Sequence, residues 1–190
     1  MIFNIVVYII IILGAGLLFY LTIILNFTVI ANVAAFCTFS YLKSSLVVLS
    51  NLMLLIAAVG NSAQIGLHMW LPDAMEGPTP FSALIHAATM LTAGIFLLVR
   101  FNFWYCLSVG ILNATILVCC LTAIFAGTVG LFQTDIKKFI AYSTFSQLVY
   151  IMLAVVCTAF NLSLFHLFNH AFFKALLFLS AGSVIHALSD

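Results

Sequence analysis

The stretch GNSAQIGLHMWLPDAMEGPTPFSALIHAATMLTAGIFLLVR, from Gly60 to Arg100, decides the fold, because polar, charged and helix-breaking residues gather there within otherwise apolar sequence. All three prolines of the chain, Pro72, Pro78 and Pro80, fall in this stretch. Proline lacks a backbone donor and clashes with the preceding helical turn. The stretch therefore predicts that one membrane-spanning helix ends or breaks here before another begins.

Polar side chains flank this predicted break, namely Asn61, Gln64, His68 and His86. Irregular backbone at depth in a bilayer survives only where protein or a water-filled cavity surrounds it. Titratable groups inside a membrane usually mark a pathway for ions or substrate. The break is therefore either a discontinuous helix lining such a pathway or a re-entrant or interfacial loop with ordinary helix ends.

The composition is that of an integral membrane protein. Hydrophobic residues make up 66% of the chain and charged residues 5%, against about 25% charged residues in soluble domains. A formal net charge of +1 offers no basic surface, so we discard a nucleic-acid partner. The cysteines lack CxxC and zinc-site spacing and are predicted to be small core residues: Cys37, Cys106, Cys119, Cys120 and Cys157.

Apolar runs predict an all-α membrane protein of about six, or seven, transmembrane helices in a single domain, residues 1–190. A crossing needs about 20 residues, and the runs that suit one are Ile2–Leu25, Leu46–Leu67, Ser82–Arg100, Leu107–Phe132, Phe139–Phe160 and Leu162–Leu188. The run from Phe27 to Tyr41, about 15 residues, either crosses or lies at the interface. Ser82 is suited to cap the third span and Arg100 to snorkel at its end.

The last predicted span carries titratable groups inside an apolar helix. His166, His170 and Lys174 follow at intervals of four residues, so they share one stripe with about 6 Å between successive groups. Such a stripe can pass protons where water or hydroxyl groups fill the gaps, because neutral imidazole donates at one nitrogen and accepts at the other. The alternative is that these groups only pack against neighbouring helices and bond their carbonyls.

The HxxxH pattern of His166 and His170 also permits a metal or a b-type haem. Metal sites usually need a third or fourth ligand, and haem needs an opposed ligand from a facing helix. We therefore expect neither a metal nor a haem in this chain.

Basic residues leave the membrane orientation open. Lys43 and Arg100 fall on one predicted face and Lys137 and Lys138 on the other. The positive-inside rule, which compares lysine and arginine in the loops, therefore counts two against two.

Three ordered stretches carry a resemblance to a known family. They are WLPDAMEGPTPFSALIHAATM (Trp70 to Met90), DIKKFIAYSTFSQL (Asp135 to Leu148) and FNHAFFKALLFLSAGSVIHALSD (Phe168 to Asp190). This pattern resembles the subunit 5 family of respiratory complex I, the antiporter-like membrane subunits of proton-pumping NADH:ubiquinone oxidoreductase, in their mitochondrially encoded form. The resemblance covers residues 54–190, an antiporter-like core, whereas residues 1–53 match only in being apolar.

The resemblance implies a helical subunit that moves protons across the mitochondrial inner membrane while a distant arm oxidises NADH and reduces ubiquinone. It implies that His86 is a relay histidine and that His166, His170 and Lys174 form a polar axis. It assigns either relay or structural roles to Asn61, His68, Asp135, Lys137 and Lys138. FMN, iron–sulfur clusters and ubiquinone are expected elsewhere in the complex, since this chain has no nucleotide-binding glycine motif and no iron–sulfur cysteine set.

The chain departs from the family pattern in ways that affect function. Where the family has a lysine in GKSAQ, this chain has Asn61 in GNSAQ, and it lacks the family's GWEGVG glutamate and the downstream helix with its lysine. We therefore expect a middle piece of subunit 5, completed by separately encoded chains and surrounded by other complex I subunits and membrane lipids. The alternatives are a structural membrane-arm scaffold and a cation/proton antiporter subunit.

Overall fold

The computed structural model describes residues 2–23, 26–37, 41–82, 84 and 89–189. Within these ranges all regular structure is helical, which confirms the predicted all-α class. The helices are α1 (Ile2–Thr22), α2 (Phe27–Cys37), α3 (Tyr41–Asn61), α4 (Trp70–Ala74), α5 (Thr79–Phe81), α6 (Leu91–Arg100), α7 (Asn102–Tyr105), α8 (Val109–Leu131), α9 (Ile136–Val156) and α10 (Phe160–Ser189).

Among the described residues, four helices are long and apolar enough to cross a membrane on their own. Their apolar segments are Ile5–Thr22, Val109–Leu131, Ile136–Val156 and Phe160–Leu188, which confirms the first, fourth, fifth and sixth predicted spans. The apolar parts of α3 and α6, Ser45–Asn61 and Leu91–Arg100, are shorter because the chain between them is interrupted. Helix α2 has 11 residues, too few for a crossing that needs about 20.

The interruption begins earlier than the prolines. Helix α3 ends at Asn61, where Ala63 adopts a φ of 54° and the Gln64 amide donates to the Val59 carbonyl at 2.9 Å. A residue in the left-handed conformation, together with a hydrogen bond from the next amide to the carbonyl five residues before it, forms the Schellman motif that ends a helix. The predicted break is therefore confirmed, but the extension of the second span to Leu67 is wrong.

Beyond the prolines the chain re-enters the helix bundle in wide turns. Ser82, Leu84, Thr89 and Met90 lie in π-helical turns, and the Thr89 hydroxyl donates to the Leu84 carbonyl at 3.1 Å. The predicted capping role of Ser82 is wrong, because its hydroxyl points back to the Pro78 carbonyl at 3.5 Å and Ser82 closes α5 instead of opening α6.

Small residues bring the helices into close contact. An added Cβ at Gly94 of α6 would lie 2.7 Å from the Ala58 carbonyl oxygen and 3.1 Å from Cβ of Asn61, so α3 and α6 touch at their backbones. Gly14 of α1 faces Met53 of α3, and Gly60 of α3 faces Val7 of α1, which makes this pair antiparallel. Such close approach is typical of helix association in membranes.

The helix ends gather at two faces. The first, here called the Arg100 face, is marked by the end of α6 and the start of α10, whose residues line one common cavity. The second, the Asp135 face, is marked by the proline turn and the start of α9, since the Lys137 ammonium donates to the Gly77 carbonyl at 3.2 Å. Helices α9 and α10 run between these faces in opposite directions.

Candidate functional site

A polar groove runs between α9 and α10, near the middle of both helices. Its volume is about 390 Å³. Two helices contribute its lining, and we call it the α9–α10 groove: Ser143, Gln147, His166, Asn169, His170, Phe173 and Lys174. The predicted stripe of titratable residues on the last span therefore lines one cavity.

Lys174 lies near the midpoint of α10 and is 3% exposed. Its ammonium donates to the Ser143 hydroxyl of α9 at 2.5 Å, and that hydroxyl in turn donates to the Ile140 carbonyl at 2.9 Å. Ser143 can do both because a hydroxyl has one proton to give and lone pairs to accept. The contact holds the lysine at a depth where an uncompensated charge is expensive.

His170 lies one helical turn from Lys174 and is also 3% exposed. Its ring centroid is 6.4 Å from that of His166, in a tilted arrangement. Neither ring nitrogen of His170 has a hydrogen-bond partner within the described part of the chain. A buried imidazole needs such partners, and the groove is large enough for several water molecules that can supply them, each taking about 30 Å³.

The groove is open on one side, away from the bundle. Asn169 and Phe173 line it and are exposed, while Gln147 is half-buried. The exposed Asn169 amide and the half-buried Gln147 amide and His166 imidazole cannot remain in contact with lipid chains at low cost. The groove therefore requires further protein to cover its open side.

A second group of polar side chains lies at the interruption after α3, and we call it the break cluster: the fully buried Gln64 and Thr122 and the half-buried His68. Gln64 is fully buried and its Oε1 accepts a hydrogen bond from the Thr122 hydroxyl of α8 at 2.8 Å. Gln64 Nε2 and His68 Nδ1 are buried without a partner among the described residues. The His68 ring packs edge-on against Phe125 at 4.8 Å and stacks near Phe145 at 6.3 Å, so it lies inside the bundle.

The other predicted site residues are dispersed. Asn61 is the last residue of α3 and lies half-buried beside Gly94 at the α3–α6 contact. Lys138 pairs with Asp135 at 3.5 Å, and Lys137 ties α9 to the proline turn, so these three residues hold the α8–α9 connection in place. His86 lies outside the described residues.

The sequence prediction missed three polar residues of the groove, Ser143, Gln147 and Asn169. Ser143 and Gln147 are four residues apart and therefore lie on one face of α9, as His166 and His170 do on α10. That shared spacing was the available signal, but it could not show that the two faces meet. Among the described residues no group of three or more histidine, cysteine or acidic side chains is placed to hold a metal ion, and the absence of metal and haem stays a prediction.

The fold and the groove define a polytopic helical membrane protein with titratable groups inside its spans. A family model described as NADH:quinone oxidoreductase/Mrp antiporter, transmembrane, matches residues 1–190. The chain belongs to this family.

Curated relatives agree with that assignment. NADH-ubiquinone oxidoreductase chain 5 of Chondrus crispus is 53% identical over 183 residues, which are 94% of this chain and 28% of the relative. The protein of the same name from Metridium senile is 63% identical over 139 residues, which are 73% of this chain and 23% of the relative. The chain thus spans about a quarter of the length of these relatives.

Solved structures show the same fold. The Mrp complex from Dietzia sp. DQ12-45-1b contains a chain that is 29% identical with a TM-score of 0.83, and the match covers 97% of this chain and 20% of that one. A chain of the membrane-bound sulfane sulfur reductase, an archaeal respiratory membrane complex, aligns with a TM-score of 0.77 at 24% identity, over 94% of this chain and 37% of that one.

Proposed function

We propose that this chain forms part of a proton-translocation pathway in the membrane arm of NADH:ubiquinone oxidoreductase, in the mitochondrial inner membrane. The observation that carries the proposal is the α9–α10 groove, where Lys174 and His170 are buried at mid-membrane depth beside Ser143. The complex is inferred from the names of the relatives, and the catalytic activity belongs to that complex. This chain contributes proton transfer and no redox site, while FMN, iron–sulfur clusters and ubiquinone are held elsewhere.

The groove supplies the groups that a proton path needs. The Lys174 ammonium stores a proton, and the Ser143 hydroxyl stabilises that charge. Water in the groove can carry the proton to His170 and then to His166, since each imidazole accepts on one nitrogen as it donates from the other. Because α10 begins at the Arg100 face, this sequence of groups runs from mid-membrane toward that face.

Helices outside this chain's own bundle are needed to complete the path. We propose that they belong to the remainder of the family protein and to other subunits of the complex, and that they cover the open side of the groove. That a separately encoded chain supplies them stays a prediction. Native mass spectrometry of the purified complex tests it, because a single polypeptide that contains these residues and the rest of the subunit would contradict the separate chain.

Two other functions have some support. A structural scaffold is favoured by Asn61, which stands where the family has a lysine and which cannot store a proton. A cation/proton antiporter is favoured by the similarity to the Mrp complex. Coupling to NADH oxidation distinguishes the three, since a scaffold moves no protons and an independent antiporter moves them without NADH.

The test of the proposal is Lys174→Met in the assembled complex reconstituted in vesicles. We expect NADH-driven proton uptake through this subunit to fall roughly tenfold or more, because a positioned proton-transfer group contributes on the order of 100-fold in rate. Ser180→Ala is the matched control, since Ser180 lies on the same helix, is exposed, and its hydroxyl bonds only the Leu177 carbonyl among described contacts. A variant complex that assembles and pumps at the control level would overturn the relay role.

A further inference from the structure

His170 is the groove residue whose hydrogen bonding is least complete. It is 3% exposed, and neither of its ring nitrogens has a hydrogen-bond partner within the described part of the chain. A buried imidazole needs a donor or an acceptor at each nitrogen. Those partners set which nitrogen carries the proton, so the group that faces His170 decides in which direction it can pass one.

Only one free amide of the groove faces His170 from the other helix. Ser143 is already engaged, because its hydroxyl accepts from the Lys174 ammonium at 2.5 Å and donates to a carbonyl of α9 at 2.9 Å. Asn169 is the exposed chain neighbour of His170, and adjacent residues of a helix do not face each other. Gln147, on α9, is the remaining amide of the lining.

The register of α9 and α10 places Gln147 opposite His170. The helices run antiparallel and are joined by the Ser143–Lys174 contact and, further along, by the Ser163 hydroxyl, which donates to a carbonyl of α9 at 3.2 Å. Gln147 lies four residues on from Ser143 along α9, and His170 lies four residues back from Lys174 along α10. Because four residues make about one helical turn, both side chains lie one turn from the same contact, toward the Arg100 face.

A gap in hydrogen bonding separates the Gln147 amide from the His170 ring. Gln147 is half-buried and lines the same groove, yet no hydrogen bond joins the two side chains, because both ring nitrogens lack a partner among the described residues. A water molecule takes about 30 Å³ and the groove has about 390 Å³, so there is room for one between them. The amide has an acceptor oxygen and an NH₂ donor, which lets it hold such a water in one orientation.

We propose that Gln147 is a positioning residue, which holds one water molecule against His170 and thereby fixes the tautomer of its imidazole. The water donates one hydrogen to Gln147 Oε1 and the other to the near ring nitrogen of His170. The near nitrogen is therefore the acceptor, and the far nitrogen carries the proton. This role rests on the proposed function, since the tautomer matters only where His170 passes protons.

The proton step through this water balances. An N–H bond of the Lys174 ammonium breaks and leaves an amine, while the water takes up that proton and gives one of its own to the near nitrogen of His170. The far nitrogen of His170 then releases its proton toward His166. The Gln147 amide gains and loses no proton, because it only orients the water.

NADH-driven proton uptake by the assembled complex in vesicles tests the proposal with Gln147→Met, which keeps the length of the side chain and removes its polar groups. We expect uptake through this subunit to fall roughly fivefold, which corresponds to about 1 kcal/mol, the net contribution of one hydrogen bond. The ratio of uptake rates in H₂O and D₂O should rise, because proton transfer to His170 then limits the rate. Gln147→Asn keeps both amide groups and should restore most of the uptake.

Gln133→Met is the matched control. Gln133 is also half-buried, but it lies at the Asp135 face outside the groove and donates to the Val129 carbonyl at 3.2 Å. Its substitution should change neither the uptake nor the isotope ratio. Equal results for Gln147→Met and Gln133→Met would overturn the proposal. A fall in uptake with an unchanged ratio would also overturn it, since that is the result of structural damage.

Lys174→Met separates this proposal from the proposed function. Normal uptake in Lys174→Met refutes the proton path itself, whereas loss of uptake in Lys174→Met with normal uptake in Gln147→Met refutes only the role of Gln147. If Gln147→Met fails to assemble, cryo-electron microscopy of the unaltered complex decides. Density for a water within about 3.2 Å of both the Gln147 amide and a His170 nitrogen is expected. A dry gap, or a side chain of another subunit in that position, would overturn the proposal.

Discussion

The α9–α10 groove and the break cluster both bury polar side chains within spans, but they are built on different kinds of backbone. The groove uses two uninterrupted helices, on which polar residues recur at intervals of four and therefore share one face. The break cluster uses the turn after α3, where Ala63 has a positive φ and Gln64 reaches Thr122 of α8. Regular helices thus align several titratable groups, whereas an interruption places single amides and imidazoles at a junction of helices.

The chemistry of the two sites differs in the same way. The groove holds Lys174 and His170, which can store a proton. The break cluster holds an amide, a hydroxyl and one imidazole, and the amide and hydroxyl can only pass a hydrogen bond along. With Asn61 where the family has a lysine, we propose that the main proton-storing groups lie in the groove and that, His68 apart, the break cluster relays hydrogen bonds.

The largest effect, a loss of assembled complex, is expected from Gly94→Leu. This substitution tests whether the break depends on close contact between the backbones of α3 and α6. Even a Cβ at this position lies 2.7 Å from the Ala58 carbonyl oxygen, so α3 and α6 must separate, at a cost of about 3 kcal/mol. We expect the yield of assembled complex on native gels to fall sharply. Gly127→Leu is the control, because an added Cβ there meets nothing within 4 Å, and equal losses for both would refute the close contact.

A large effect on function is expected from Ser143→Ala in the groove. The substitution removes the acceptor of the Lys174 ammonium, and a hydrogen bond to a charged group contributes about 1.5–3 kcal/mol. NADH-driven proton uptake should therefore fall while assembly persists. Ser146→Ala, on the same helix and bonded only to the Ser143 carbonyl among described contacts, should leave uptake unchanged. Similar uptake in both variants would remove Ser143 from the path.

A smaller effect on function is expected from Thr122→Val in the break cluster. The change leaves Gln64 Oε1 buried without its donor, at a cost of about 1–3 kcal/mol in the stability of the subunit. Thr128→Val is the control, because Thr128 is exposed and its hydroxyl bonds only carbonyls of its own helix. If Thr122→Val lowers proton uptake as much as Ser143→Ala does, without loss of stability, the division between storage and relay is wrong.

Much of the fold could be predicted because each spanning helix makes its own backbone hydrogen bonds. Each such helix is therefore visible in the sequence as a long apolar run. The ends of α8, α9 and α10 lie within a few residues of the predicted ones. The second and third spans were harder, since helix α3 ends through the left-handed conformation of Ala63, and alanine is not a residue that signals such an ending. The capping role of Ser82 was wrongly predicted for a similar reason. Serine is a residue type that suits a helix cap, but the Ser82 hydroxyl donates to the Pro78 carbonyl in the preceding turn.

The sequence by itself determined the class of protein, the stripe of His166, His170 and Lys174, and the presence of a break around the prolines, because these depend on composition and on spacing along one helix. Only the tertiary structure decided that Ser143 meets Lys174, that Gln64 meets Thr122, and that Arg100 shares a cavity with Asn161. These pairings join residues 31, 58 and about 60 positions apart. Helical periodicity acts within a segment, whereas the faces of separate helices meet according to the small residues that let them approach.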